Sequence, residues 1–136
     1  MFALAATAVF HPLPATAQSY CGPQIPVSFN GANGQYPSGY LTIDSQGNVY
    51  GTTSDGTIWK YSPSAGLTTF SAPSGTTGLN RVVFDSQGNL WGSTSGGGIG
   101  GNGTIFELTT AGVFNTVFEF SGANGANPGP LVFDCG

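Results

Sequence analysis

The sequence predicts an all-β chain of four-stranded antiparallel units stacked one on the next, and three observations carry that expectation. Asp44-Ser45-Gln46-Gly47-Asn48-Val49-Tyr50-Gly51-Thr52-Thr53-Ser54 recurs as Asp85-Ser86-Gln87-Gly88-Asn89-Leu90-Trp91-Gly92-Ser93-Thr94-Ser95, 41 residues further on. Glycine supplies 23 of 136 residues and charged side chains only 6%, which suits short strands joined by tight turns. No window sustains the 3.6-residue apolar period of an amphipathic helix. A unit of about forty residues holding several short strands cannot bury its own apolar face and must lean on the next copy, as in a propeller or solenoid.

The chain opens on a different kind of segment. Residues 2–10 are a short apolar run, and Ala15-Thr16-Ala17 before Gln18 has the small-x-small form of a signal-peptidase site. A secretory leader is expected over residues 1–17, leaving a mature region of 18–136. The run falls short of the roughly 20 apolar residues that cross a bilayer, so no membrane span is expected in the mature chain. Export places Cys21 and Cys135 where they can pair. Cys135 also stands at the turn position held by Ser45 and Ser86 in the other copies, so their pairing stays open.

Turn chemistry places the strands. Asp44-Ser45-Gln46-Gly47 and Asp85-Ser86-Gln87-Gly88 suit type I turns in which the aspartate caps backbone N–H groups and the glycine takes the left-handed position. These turns join strands at 40–43 and 48–53, and at 81–84 and 89–94. Asp55-Gly56 reads as a two-residue primed hairpin into a strand at 57–61, and Gly66 precedes a strand at 67–70. The second copy repeats Gly56-Thr57-Ile58-Trp59-Lys60-Tyr61 as Gly103-Thr104-Ile105-Phe106-Glu107-Leu108, after a loop lengthened by the glycine-rich run at 96–101. Its last strand is expected within 113–120. Each unit is thus a four-stranded meander of the kind that forms one propeller blade.

A third match, displaced by 91 residues, sets Phe29-Asn30-Gly31-Ala32-Asn33-Gly34 against Phe120-Ser121-Gly122-Ala123-Asn124-Gly125. It predicts that 25–29 is a closing strand and that a third unit opens at 121. That unit reaches Leu131-Val132-Phe133-Asp134 and stops before the glycine and asparagine of its turn. The expected architecture is a partial β-propeller: two complete blades at about 36–78 and 79–120, with flanking strands, cut from a longer array. Open strand edges in such a piece favour association with further repeats or copies of the chain.

Taken together, an apolar strand, Asp-x-x-Gly-Asn, an aliphatic-aromatic pair, Gly-[ST]-Thr, a glycine-rich gap, Gly-Thr-[IV]-[FW] and a return through Gly-Ala-Asn-Gly resemble the GloVer-type tandem repeats of exported bacterial proteins. The pattern is carried by residues 43–53, 56–59, 84–94, 103–106 and 121–128. The resemblance implies a secreted, propeller-like array, often held at the cell surface by a C-terminal sorting domain, and it brings no catalytic residues. The chain departs from the pattern at Ser71-Ala72-Pro73-Ser74-Gly75-Thr76-Thr77-Gly78, where Gly-Ala-Asn-Gly is expected.

The side-chain inventory narrows the function classes. A net charge of −4 with Lys60 and Arg81 as the only basic residues argues against nucleic-acid or anionic-lipid partners. The single histidine, His11, falls in the leader, so no Ser-His-Asp or Cys-His arrangement and no imidazole metal ligand is expected in the mature chain. Of the six carboxylates, Asp44, Asp85 and Asp134 are one turn position on successive units, Asp55 is a hairpin residue, and Glu107 stands where Lys60 stands, as at a solvent-facing site. No cofactor or metal is expected. The remaining candidates are Trp59 and Trp91, whose recurring aromatic positions suit inter-sheet packing or, if exposed, stacking against a glycan. The expected function is an exported structural or adhesive surface repeat. A lectin-like carbohydrate-binding module is the alternative, and a lactonase- or lyase-like enzyme a distant third.

Overall fold

The computed structural model describes residues 27–134. Among these residues there is no helix; the strands form two antiparallel sheets. The first sheet is a meander of β1 (Pro37–Ile43), β2 (Val49–Thr53), β3 (Thr57–Ser62) and β4 (Gly66–Ser71), paired in that order. The second holds β5 (Thr77–Leu79), β6 (Val83–Phe84), β7 (Leu90–Gly96), β8 (Thr104–Leu108) and β9 (Phe114–Glu119), with β5 and β6 both paired to β7. The expected leader, Cys21 and Cys135 lie outside the described residues.

The two Asp-x-x-Gly-Asn turns form as their chemistry dictates. Gly47 and Gly88 adopt φ of 80° and 86°, where a β-carbon is strained. Their N–H groups donate to the carbonyls of Asp44 and Asp85 at 3.1 and 3.2 Å. Across β2 and β3, Gly51 stands opposite Trp59, and Gly92 stands opposite Phe106 across β7 and β8. In both pairs the aromatic ring lies where a β-carbon would be, so a larger residue at either glycine displaces a ring from the sheet. The recurrence at 91 residues also has a structural form. Asn33 and Asn124 accept from the N–H of Asn30 and Ser121, each at 2.8 Å, and the equivalent Tyr36 and Asn127 are left-handed at φ of 52° and 50°.

Four expectations are corrected. The first strand of the second sheet, expected at 81–84, is split into β5 and β6 at the sheet's edge and begins at Thr77, ahead of the expected boundary at 79. Between its two pieces the Leu79 and Val82 carbonyls turn away to accept the hydroxyls of Thr52 and Thr42 in the first sheet. The hairpin at Asp55 has a three-residue loop, because Thr52 pairs with Ile58 and only Gly56, at φ 93°, is left-handed there. A primed turn would need Asp55 in that region as well. The flanking segments show no strand among the described residues: 27–29 and 128–134 run without ladder partners there, and residues 25–26 of the expected closing strand lie outside the described residues. Lys60 is half-buried on the inner face of the first sheet and not solvent-facing, whereas its equivalent Glu107, also half-buried, lies on the outer face of the second.

Period-2 alternation sets which side chains meet. The inner face of the first sheet carries Tyr50, Ile58 and Phe70, and that of the second carries Leu90, Phe106 and Leu108 with Phe84 and Phe114. Leu79 and Val82 lie among them in one core cluster. Phe106, Ile58 and Val82 are completely buried, and each is worth about 1.5–3 kcal/mol over an exposed state.

The manner of stacking recurs on the far side of the second sheet. Tyr50 meets Phe84 edge-on with ring centroids 5.1 Å apart, and Trp91 meets Phe133 edge-on at 6.0 Å. Thr52 donates to the Leu79 carbonyl, and the equivalent Ser93 donates to that of Gly129 at 2.6 Å. Residues 128–133 therefore sit on the second sheet much as 79–84 sit on the first.

Candidate functional site

A cleft of about 520 Å³ opens between the two sheets at the end bearing the Asp-x-x-Gly-Asn turns, lined by Asp44, Tyr50, Lys60, Phe70, Phe84 and Asp85 among others. The two turns bring the aspartates to its rim, and strand pairing supplies its floor. Tyr50 is opposite Lys60 in the β2–β3 ladder, and the Lys60 ammonium lies 5.5 Å from the centre of the Tyr50 ring, within cation–π range.

Each aspartate is fully engaged. The Asp44 Oδ1 accepts the N–H groups of Gln46 and Asn48, both at 2.9 Å, and its Oδ2 accepts the Asn48 amide at 2.7 Å and the Tyr50 hydroxyl at 3.1 Å. Asp85 repeats the pattern, with the Trp91 indole N–H donating at 2.9 Å in place of the tyrosine hydroxyl. Burial works to raise the Asp44 carboxyl, but the donors from Asn48, Gln46 and Tyr50 outweigh it and hold the group below its ordinary range. At Asp85 burial is likewise outweighed, chiefly by Trp91 and Asn89. The Thr53 hydroxyl is the main cause of a similar lowering at Asp55. Burial raises the Tyr50 hydroxyl above its ordinary value, with Lys60 opposing and Asp44 reinforcing the shift. At neutral pH the cleft therefore presents two carboxylates, a neutral phenol and an ammonium beside exposed parts of aromatic rings. That set can hydrogen-bond and stack on a polar ligand. The carboxylates are held ionised, which does not suit proton donation.

The two tryptophans have different surroundings. Trp59 is 8% exposed, packed under Phe29 with centroids 5.5 Å apart and over Gly51, so its ring serves packing and offers no open face to a glycan. Among the described residues its buried indole N–H has no hydrogen-bond partner. Trp91 is half-buried, tied to Asp85 and flanked by Phe133. Glu107 accepts the Asn115 amide at 3.1 Å on the outer face of the second sheet. Asp134 is exposed at the end of the described chain.

Sequence reasoning missed the cleft and the pairing of Lys60 with Tyr50. The hairpin register links that pair, but the cleft depends on how the two sheets meet. Among the described residues no group of three His, Cys, Asp or Glu side chains is placed to hold a metal. No described helix is long and apolar enough to cross a membrane. Comparison with protein-family models, with curated proteins and with solved structures found no match to this chain.

Proposed function

We propose that this chain is part of an exported, propeller-type stack of β-sheets that serves as a structural or adhesive surface element, without catalysis of its own. The observation that carries the reading is the recurrence of one stacking contact, Tyr50 with Phe84 between the two sheets and then Trp91 with Phe133, where residues 128–133 lie on the second sheet. A chain that repeats its joint as well as its unit suits extension by addition of units. The engagement of Asp44, Asp55 and Asp85 in their own turns supports a scaffold over a catalyst. The GloVer-type pattern in the sequence supports export and surface display.

Lengthening the stack tests this reading. Insertion of a second copy of residues 79–127 after Asn127 adds one unit and one joint, so the melting temperature should rise. An unchanged or lower melting temperature would count against stacking.

Carbohydrate binding remains a second reading, favoured by the aromatic-walled cleft and by half-buried Trp91 at its own turn. Titration of soluble oligosaccharides against tryptophan emission tests it. A saturable change in the parent chain that disappears in Trp91→Phe supports binding, and no change at millimolar sugar removes that reading.

A further inference from the structure

The two sheets have corresponding residues, and of each corresponding set one lies inside the joint between the sheets and the other on an outer face, where among the described residues Phe29 covers Trp59 and residues 128–133 lie over Trp91. In the second sheet Phe84, Leu90, Leu108 and Phe114 form an apolar row packed under the first sheet; Leu90 and Leu108 are each 3% exposed. The same row in the first sheet is Ile43, Val49, Tyr61 and Leu67, joined by the same pairings. It lies on that sheet's outer face, with Ile43 65% exposed and the others half-buried. Conversely, the face of the first sheet that covers the second carries Tyr50, Ile58, Lys60 and Phe70. Its equivalents, Trp91, Ile105, Glu107 and Phe118, point outward from the second sheet, with Phe118 44% exposed. The chain's two outer faces thus repeat the positions of the two sides of the joint inside it, with Glu107 in place of Lys60 as the one change of charge sign among the residues named.

We propose that copies of this chain associate head to tail, the outer face of one first sheet seating on the outer face of another's second sheet. The internal joint supplies the geometry, and an interface of this kind leads to a ring or an open filament. Residues 128–133 already hold the first strand position over Trp91. The incoming β1 takes that position, so Phe133 gives way to Ile43 beside the indole. The charges differ from those of the internal cleft. There Lys60 lines the cleft together with Asp44 and Asp85, whereas the new cleft brings Glu107 together with Asp85 and the incoming Asp44. Three carboxylates without a cation oppose association, and added salt relieves the repulsion.

The proposal rests on the stacking reading but is tested separately from it. Sedimentation of the full chain over a range of concentration and salt should show assembly that strengthens with both. Glu107→Lys restores the cation of the internal cleft and should lower the concentration needed for assembly by about tenfold. Ile43→Lys, at an exposed position that should leave the fold intact by circular dichroism, should abolish assembly. In a Trp59→Phe chain, Trp91 emission should shift with concentration as its neighbour is exchanged. A chain that stays monomeric throughout, or one whose assembly is unaffected by both lysine substitutions, overturns the proposal. If the lengthened chain nevertheless gains stability, stacking within one chain stands and association between copies falls.

Discussion

Phe106 and Trp59 occupy the same position in their sheets, each lying over a glycine, yet only the tryptophan carries a polar atom into that space. Its buried N–H has no partner among the described residues, a condition that costs about 1–3 kcal/mol when a donor loses water without replacement. Trp59→Phe removes that cost together with part of the ring's packing, and the second sheet already accommodates phenylalanine at this position. The two effects should nearly cancel, leaving stability in urea within about 1 kcal/mol of the parent, whereas loss of an aromatic side chain altogether costs about 3–5 kcal/mol. A loss approaching the larger figure would mean that the indole makes contacts its equivalent does not need. The pairing of ring and glycine was visible in the sequence as aligned Gly51 with Gly92 and Trp59 with Phe106. The orphaned N–H was not, since it depends on what covers the outer face.

The Asp-x-x-Gly-Asn turn was the most legible element, because its hydrogen bonds span at most six residues and need nothing from the rest of the fold. Asp44 accepts four donors through two oxygens, more than the capping role alone required. Asp44→Asn leaves an amide NH₂ facing the donors of Asn48 and Tyr50, so it should cost about 1–3 kcal/mol at neutral pH. The sign with pH follows from the lowered carboxyl. A group whose folded pKa lies below its unfolded value of 3.8 contributes full stability above that value and loses it as pH falls through the folded pKa. Denaturation midpoints measured from about pH 5 down to pH 2 should fall in the parent and fall less steeply in Asp44→Asn. Equal slopes would show that the aspartate does not draw its stability from these donors. The split of β5 from β6 was illegible by comparison, because the hydroxyls that draw the Leu79 and Val82 carbonyls aside belong to another sheet.

At the scale of the whole molecule the two sheets share one core, and Val82 lies in it between them, completely buried and within reach of Gly92 and Phe106. Val82→Ala should therefore weaken both sheets together. A loss of about 1–3 kcal/mol, with tryptophan emission and far-ultraviolet circular dichroism changing in one coincident transition, is the expected result. Separate transitions would mean that the sheets melt as independent units. The all-β class and the meander order were readable from turn spacing, since each turn fixes its own neighbours. Which faces meet, and hence where the cleft opens, was not readable, because Tyr50 and Val49 alternate along one strand with little difference in apolar character.

Asp44 and Asp85 accept a phenol hydroxyl and an indole N–H through the same carboxylate oxygen, from the same place in their strands. Each unit can thus carry either of two fluorophores at a position whose hydrogen bond senses whether its own turn is closed. With Trp59 exchanged for phenylalanine, a lengthened chain holding tryptophan in one unit and tyrosine in the others would contain a single addressable lamp. Moving that lamp along the chain would convert an averaged melting curve into a map of where the stack first comes apart.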